Sequence, residues 1–402
     1  MSNEIQVNKK SGLDMFDIFV LIAFSYNSVM VYFSAVFARL PIIGVIGYEI
    51  LPLFVSFLAI ICFAAGYFRG VKVSDILFIL SFLLTIILSY MFHPETNEYY
   101  TQSNLRPIYV ETVPFFLLAV CFRCNQKTLK NLTYISFVAI ILNVLYMFLF
   151  VGLTSEDGEY YMGQAYVLLP HVMFAINSIF DRAIIQKRII SIFFSLLGIF
   201  FLVAMGSRGP LLIAIIYLIM KIFLSIDKRK PKTIVMFTVV AIVLIGIIAS
   251  DYYLILFEKL SNTLSRYGMS TRIIDMLLEN EYLSHTSGRD RIYELLLEKI
   301  SEKPILGYGI FGEEQFDVLA HNIALEIIMY YGIPIGATII IAYIVTALRA
   351  YFKTDNKYAR DLILLFFVMT VVRAPFGGSH LSYYFFFLFG LSISTLRKQK
   401  MC

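Results

Sequence analysis

The chain has 402 residues, of which 59% are hydrophobic, 16% aromatic and only 15% charged. Soluble globular chains hold roughly 45–50% apolar and about 25% charged residues, so these figures exclude an ordinary soluble enzyme, and disorder, collagen-like repeats and coiled coil with it. The net charge of +5 would suggest a nucleic-acid partner only if the basic residues formed one footprint, and they do not.

A helical bilayer crossing needs about 20 apolar residues. Twelve apolar segments follow one another, near 17–37, 43–67, 75–92, 107–122, 132–153, 164–180, 189–206, 210–226, 233–250, 332–351, 361–375 and 381–396. They predict an all-α polytopic membrane protein with about 12 transmembrane helices. The weakest segments are the fourth, which carries Glu111, and the short eleventh. A polar leader with Lys9 and Lys10 runs directly into a full-length span, so no cleavable signal peptide is expected. No internal repeat at a fixed period is evident. Three parts result: residues 1–250 with the first nine spans, a long loop over 251–320, and residues 321–402 with the last three spans and the C-terminus. Four cysteines (Cys62, Cys121, Cys124 and Cys402) are too few for a disulfide framework. Cys121 and Cys124 form a C-x-x-C pair, but with no second pair or adjacent histidine it reads as two reduced thiols at a helix end rather than a zinc site.

Basic residues in short loops mark the cytoplasmic side. Alternate connections carry Lys9 and Lys10; Arg69 and Lys72; Arg123, Lys127 and Lys130; Arg182, Lys187 and Arg188; Lys221, Lys228, Arg229, Lys230 and Lys232; Arg349, Lys353, Lys357 and Arg360; and Arg397, Lys398 and Lys400, which is 22 of the 33. The opposite short loops hold only Arg39, Arg106, Arg208 and Arg373. Both termini are therefore predicted to be cytoplasmic and the long loop to face outward. The positive bias is a topology signal, and no nucleic-acid partner is expected.

Three places on the outer side carry unusual residues. The turn Gly206-Ser207-Arg208-Gly209-Pro210 joins spans seven and eight. Pro210 suits the first turn of the following helix, and free N–H groups at a helix start beside an arginine form a phosphate site. A hairpin whose Arg208 snorkels to lipid headgroups is an equally weighted reading. In the long loop, Ser287 to Asp290 has the form of a capping box. Ile292, Leu295, Leu296 and Ile300 then make one apolar stripe, Pro304 ends the helix, and Gly307, Gly309 and Gly312 predict a flexible return to the membrane. Arg289 and Arg291 fall in the first turn of that helix, where cations oppose its dipole, so a bound anion accounts for them better than local stability. Finally His321-Asn322 precede span ten, with Glu326 one turn on. A histidine there is suited to act as a general base, although a lone histidine is more often structural.

Ionisable groups within spans are costly and often functional, which singles out Glu49, Glu111, His171 and Arg373. Glu111 and Arg373 fall near outer helix ends and are expected to line a substrate cavity. His171, mid-span beside Pro170, reads as a packing residue. His380, in Gly377-Gly378-Ser379-His380, reads equally as a cavity-mouth or a loop residue. Tyr99, Tyr100, Tyr160 and Tyr161 suit sugar stacking and an interfacial aromatic belt alike.

The strings Ser207 to Pro210 (SRGP), Ser287 to Tyr293 (SGRDRIY), Lys303 to Gly312 (KPILGYGIFG) and Ala320 to Gly336 (AHNIALEIIMYYGIPIG) together resemble the O-antigen ligase and polysaccharide polymerase superfamily. His321 and Gly332 reproduce its spacing of histidine, ten residues and glycine. Arg208 and Leu212 reproduce its arginine, three residues and leucine. Arg291 and Gly307 match an arginine, fifteen residues and glycine of the polymerases, while Arg289 better matches the family's SGR. Two departures are Tyr293, where tryptophan is commoner, and Gly336, one position late. The motifs cover about 200–340, and the twelve-span layout with a late outer loop agrees over nearly the whole chain.

The resemblance implies a metal-independent glycosyltransferase of the bacterial inner membrane, with no cofactor. It would use an undecaprenyl-diphosphate-linked oligosaccharide as donor and acceptor. Arg208, Arg289 and Arg291 would bind and neutralise the diphosphate, and His321 would deprotonate the acceptor hydroxyl. Asn322, Arg373 and Glu111 would complete the substrate cavity. A polymerase of O-antigen or capsular repeat units is the first expectation, with a flippase and a chain-length regulator as membrane partners. A ligase acting on lipid A-core or protein is the nearest alternative. A lipid-oligosaccharide flippase is the alternative from another class, but transporters commonly place ionisable groups at the midplane and show internal repeats.

Overall fold

A twenty-residue helix, Val73–Phe92 (α1), leaves Leu77, Leu80, Leu84, Ile87 and Met91 exposed, and buries only Asp75 and Ser89. Such a surface is stable against lipid and not against water. The computed structural model describes residues 71–151, 162–225, 252–266, 271–279 and 289–399, and within them every regular element is helical. After α1 come Gln102–Pro107 (α2), Val113–Val120 (α3), Gln126–Tyr146 (α4), Met162–Phe180 (α5), Arg188–Ala204 (α6) and Arg208–Ser225 (α7). Then follow Tyr252–Arg266 (α8), Arg272–Leu278 (α9), Arg289–Glu302 (α10), Ile323–Lys353 (α11), Lys357–Phe367 (α12) and Tyr383–Gln399 (α13).

Nine of the twelve predicted segments fall on these helices, while those at 17–37, 43–67 and 233–250, Glu49 included, lie outside the described residues. Among the described residues, five helices are long and apolar enough to cross a membrane: Val73–Phe92, Gln126–Leu149, Gly163–Phe180, Arg208–Ser225 and Ile323–Lys353. The chain is a multi-pass membrane protein. The two weakest segments are where helices are interrupted. Between α2 and α3, the prolines Pro107 and Pro114 bracket a π turn at Ile108–Thr112 that carries Glu111. A further π turn, Val368–Val372, extends α12 toward Arg373. A proline removes one backbone donor, and the wider π turn accommodates the gap.

The core centres on α5, whose Leu168, Leu169, Val172, Met173, Phe174 and Ile176 are buried among α4, α6 and α7. α13 packs on α3, α11 and α12. His171 sits in this core with Nδ1 3.2 Å from Ser136 Oγ, as its packing role predicts. Polar ties sort the loops into two ends. At one end Arg397 bonds Asp75, Lys398 the Phe122 carbonyl, Asn356 the Cys124 carbonyl, Lys357 Asp181, and Lys221 Asp361. At the other end Asn104 bonds Glu314, Lys303 Glu95, and Thr112 the Leu381 carbonyl. The basic connections among the described residues thus share one end, and the described motif-bearing segments share the other.

Within 251–320, α8 and α9 pair through Ser261 and Asp275, 2.8 Å apart, and cover Ala204 at the end of α6. α10 lies on α11, with Leu296 and Ile300 of its predicted stripe buried. The described part of α10 begins at Arg289, so the proposed cap at Ser287 lies outside the described residues.

The predicted flexible glycine return is instead docked. Helix α11 starts at Ile323, nine residues before the expected span, and breaks at Gly332, where φ is 73°. The break and Pro334 free the carbonyls of Met329 and Tyr330. The amides of Tyr308 and Gly309 take them, at 2.8 and 3.1 Å, and Ile333 N–H donates to the Pro304 carbonyl at 2.7 Å. Buried backbone groups need partners, and the loop supplies those the helix lost. Gly307 and Gly332 make this possible: a Cβ on Gly307 would lie 2.6 Å from the Gly332 nitrogen, and one on Gly332 2.1 Å from the Ile305 oxygen.

Candidate active site

Gly206 turns the chain with φ 68°, Ser207 is fully buried, and Arg208 opens α7. The turn rests on Tyr166 of α5: a Cβ on Gly209 would stand 2.6 Å from the Tyr166 hydroxyl oxygen. That hydroxyl donates to the Phe376 carbonyl at 2.6 Å, and the Arg373 guanidinium lies over the Tyr166 ring, 3.9 Å from its centroid. Such stacking holds a guanidinium in place while leaving its N–H groups available. Ser207 Oγ and Arg373 Nε are both buried without a hydrogen-bond partner among the described residues. Buried polar atoms are normally satisfied, and an anion held at the N-terminus of α7 is one group that would satisfy them.

A second group forms around His321. Its backbone is left-handed, φ 47°, because the chain must turn sharply from the docked loop into α11. Asn322 caps that helix, its Oδ1 accepting from the Ala324 and Leu325 amides at 3.0 and 3.2 Å. Tyr293 of α10 donates to the His321 carbonyl at 3.4 Å and to the Pro375 carbonyl at 3.1 Å. Half-burial first, and then the nearby Arg289 charge, hold the His321 imidazole below its ordinary pKa. A histidine so placed is neutral at pH 7 and able to accept a proton.

The two groups meet at Pro375 and Phe376, neighbours whose carbonyls take the hydroxyls of Tyr293 and Tyr166 respectively. The structure thus sets Arg289 within electrostatic reach of His321 and places the Arg208 turn and Arg373 on the same tyrosine, Tyr166. Glu111, on the π turn, and Arg373 both lie within electrostatic reach of Tyr384. Arg291 is exposed one residue past Asp290 in the first turn of α10, and the Asn322 Oδ1 is turned to its own helix. Tyr100 bonds Ser89 at 2.7 Å and packs edge-on against Tyr90 and Phe311, which makes it a packing residue here. Tyr160 and Tyr161 lie outside the described residues. Sequence reasoning missed Tyr166, Tyr293 as a tether, and the role of the Pro375-Phe376 carbonyls. Periodicity carries no signal for a contact 210 residues apart.

Residues 193–341 match a family model described as O-antigen ligase. The resemblance read from the motifs is thereby shown for that stretch, which holds Arg208, Arg289, Arg291, His321 and both docking glycines. Glu111, Tyr166 and Arg373 lie outside it, and geometry alone joins them to the site. No curated protein matches the chain.

Proposed function

We propose that the chain is a polymerase that joins undecaprenyl-diphosphate-linked oligosaccharide repeat units into O-antigen or capsular polysaccharide on the outer face of the bacterial inner membrane. The observation that carries this reading is a half-buried His321, within electrostatic reach of Arg289 and tied through Tyr293 to the Pro375 carbonyl, inside the stretch that matches the O-antigen ligase model. In the reaction the acceptor sugar hydroxyl attacks the anomeric carbon of the donor, and the bond from that carbon to the diphosphate oxygen breaks. His321 receives the hydroxyl proton. The leaving diphosphate gains negative charge, and Arg208, Arg289 and Arg373 neutralise it with the N-terminus of α7. Arginines rather than a metal ion supply the positive charge in this scheme. Asn322 and Glu111 border the sugar, and Arg291, exposed on α10, meets the donor on entry.

The spacing of Arg291 and Gly307 supports polymerase. The match to the O-antigen ligase family model favours a ligase, which would pass the finished glycan to another acceptor. One assay separates them: purified protein in lipid bilayers with undecaprenyl-diphosphate-linked repeat unit alone. A polymerase makes a ladder of lengthening products, and a ligase leaves the donor untouched until its own acceptor is added. His321→Ala should abolish the ladder while the folded protein remains, and EDTA should leave the wild-type ladder intact. A ladder of normal length from His321→Ala would remove the general-base assignment.

A further inference from the structure

Behind the proposed centre lies a buried polar cluster that the chemistry above does not use. Glu326 stands one turn into α11, five residues past His321, and is only 4% exposed. A carboxylate there would ordinarily serve its own helix N-terminus, but Asn322 already caps those amides. Instead both Glu326 oxygens reach across to the loop that follows Arg373. Oε1 accepts from the Ser379 hydroxyl, and Oε2 accepts from the His380 backbone N–H at 2.8 Å. His380 Nδ1 lies 3.1 Å from the same Oε2, an ion-pair approach rather than an aligned hydrogen bond, and its Nε2 is 3.3 Å from the Tyr331 hydroxyl. Ser379 Oγ also receives the Leu381 amide at 3.0 Å. The loop lies close over the start of α11: a Cβ on Gly378 would be 3.4 Å from Ile323 Cδ1 and 3.5 Å from Arg373 Nε. The other groups facing the cluster are Tyr330, stacked edge-on to His380, and Glu313, which accepts from Tyr330 at 2.8 Å. Burial, and then the Glu326 charge, push the Glu313 carboxyl above its usual range.

We propose that Glu326 is a positioning residue, which locks the Arg373 loop onto the start of α11 through Ser379 and His380 and so keeps Arg373 in register with His321. It rests on the reading of His321 and Arg373 as parts of one active centre. The effect on the reaction passes through Arg373, because Glu326 itself touches neither the donor nor the acceptor. Loss of the clamp therefore weakens donor binding more than it slows chemistry.

Two readouts test this on the full chain in lipid bilayers. Amide hydrogen exchange, measured without substrate, reads the clamp. Glu326→Ala should speed exchange over 379–382 on the order of 10-fold or more, and leave the middle of α13 unchanged. Glu326→Gln should restore protection, since its carbonyl accepts the His380 N–H and its amide donates to Ser379. Ser379→Ala removes one tie from the loop side and should move exchange the same way if Glu326→Ala does not fold. Kinetics with undecaprenyl-diphosphate-linked repeat unit read the consequence: in Glu326→Ala the donor KM should rise roughly 10- to 100-fold with kcat changed far less, and Glu326→Gln should return it toward wild type. Unchanged exchange in Glu326→Ala and Ser379→Ala, or no rescue by Glu326→Gln, overturns the clamp. Faster exchange with an unaltered KM overturns the positioning role. Wild-type protein inert toward this donor would instead remove the proposed function, while the exchange result still decides the clamp.

Discussion

The general-base role proposed for His321 agrees with what surrounds it. Burial disfavours its charged form, and Arg289 adds to the effect, so the acid limb of the pH–rate profile should lie below the roughly 6.5 of an unperturbed imidazole. The sign is fixed by the role: below the pKa the ring is protonated and can accept nothing. Arg289→Gln removes one of the two causes, so its acid limb should move upward toward the ordinary value, apart from any loss of maximal rate. A profile at the wild-type position in that variant, measured as the pH of half-maximal rate, would separate Arg289 from His321. The arginines also differ from point charges, because a guanidinium grips phosphate with two parallel hydrogen bonds and an ammonium does not. Arg208→Lys and Arg289→Lys should each cost on the order of 30- to 1,000-fold in turnover, with unchanged thermal unfolding. Near-normal turnover in both would make these residues interface anchors.

At the scale of elements, the glycines of the two motifs, Gly307 and Gly332, explain each other. Gly307 and Gly332 are 25 positions apart in the sequence and in contact in the fold, where loop and broken helix exchange three backbone hydrogen bonds. Gly332→Ala would put a methyl group into the Ile305 carbonyl and force an L-residue to φ 73°. Strain of this kind costs about 1–3 kcal/mol before the clash is counted, so the variant should unfold at a lower temperature than wild type. Gly163→Ala, where a Cβ meets nothing within 4 Å, is the control. Equal unfolding midpoints for the two variants would show that the loop does not depend on close approach at Gly332. The helices themselves were legible in the sequence, since apolar length and turn residues act locally. The α10 stripe was equally legible, from Leu296 and Ile300. The docked loop was not: glycines read as freedom, while here they permit contact, and nothing in the string marks which carbonyls a kink will release. Both Glu326 and Arg373 were visible in the sequence, but what they bind was not, for a related reason. Their partners, Ser379, His380 and Tyr166, come from other helices or loops, and only packing brings them near.

At the scale of the molecule, the fold separates charge. Lys72, Arg123, Arg182, Lys221, Lys357 and Arg397 belong to connections at one end, whereas Arg208, Arg289, His321 and Arg373 gather at the other. The proposed anionic lipid donor would meet, at the motif end, positive charge presented by Arg208, Arg289 and Arg373. Short basic loops are retained on the cytoplasmic side, so the site end should face outward and both termini inward. Cysteine labelling tests this. In a background where Cys62, Cys121, Cys124 and Cys402 are serine, Glu298→Cys lies on exposed α10 and Asp355→Cys in the exposed α11–α12 connection. A membrane-impermeant maleimide applied to whole cells should modify the cysteine at 298 and spare that at 355 until the membrane is opened. The two positions lie at opposite ends of the same bundle, so one orientation cannot label both. Labelling of 355 in intact cells would turn the molecule over, placing His321 in the cytoplasm and removing the outer glycan transfer.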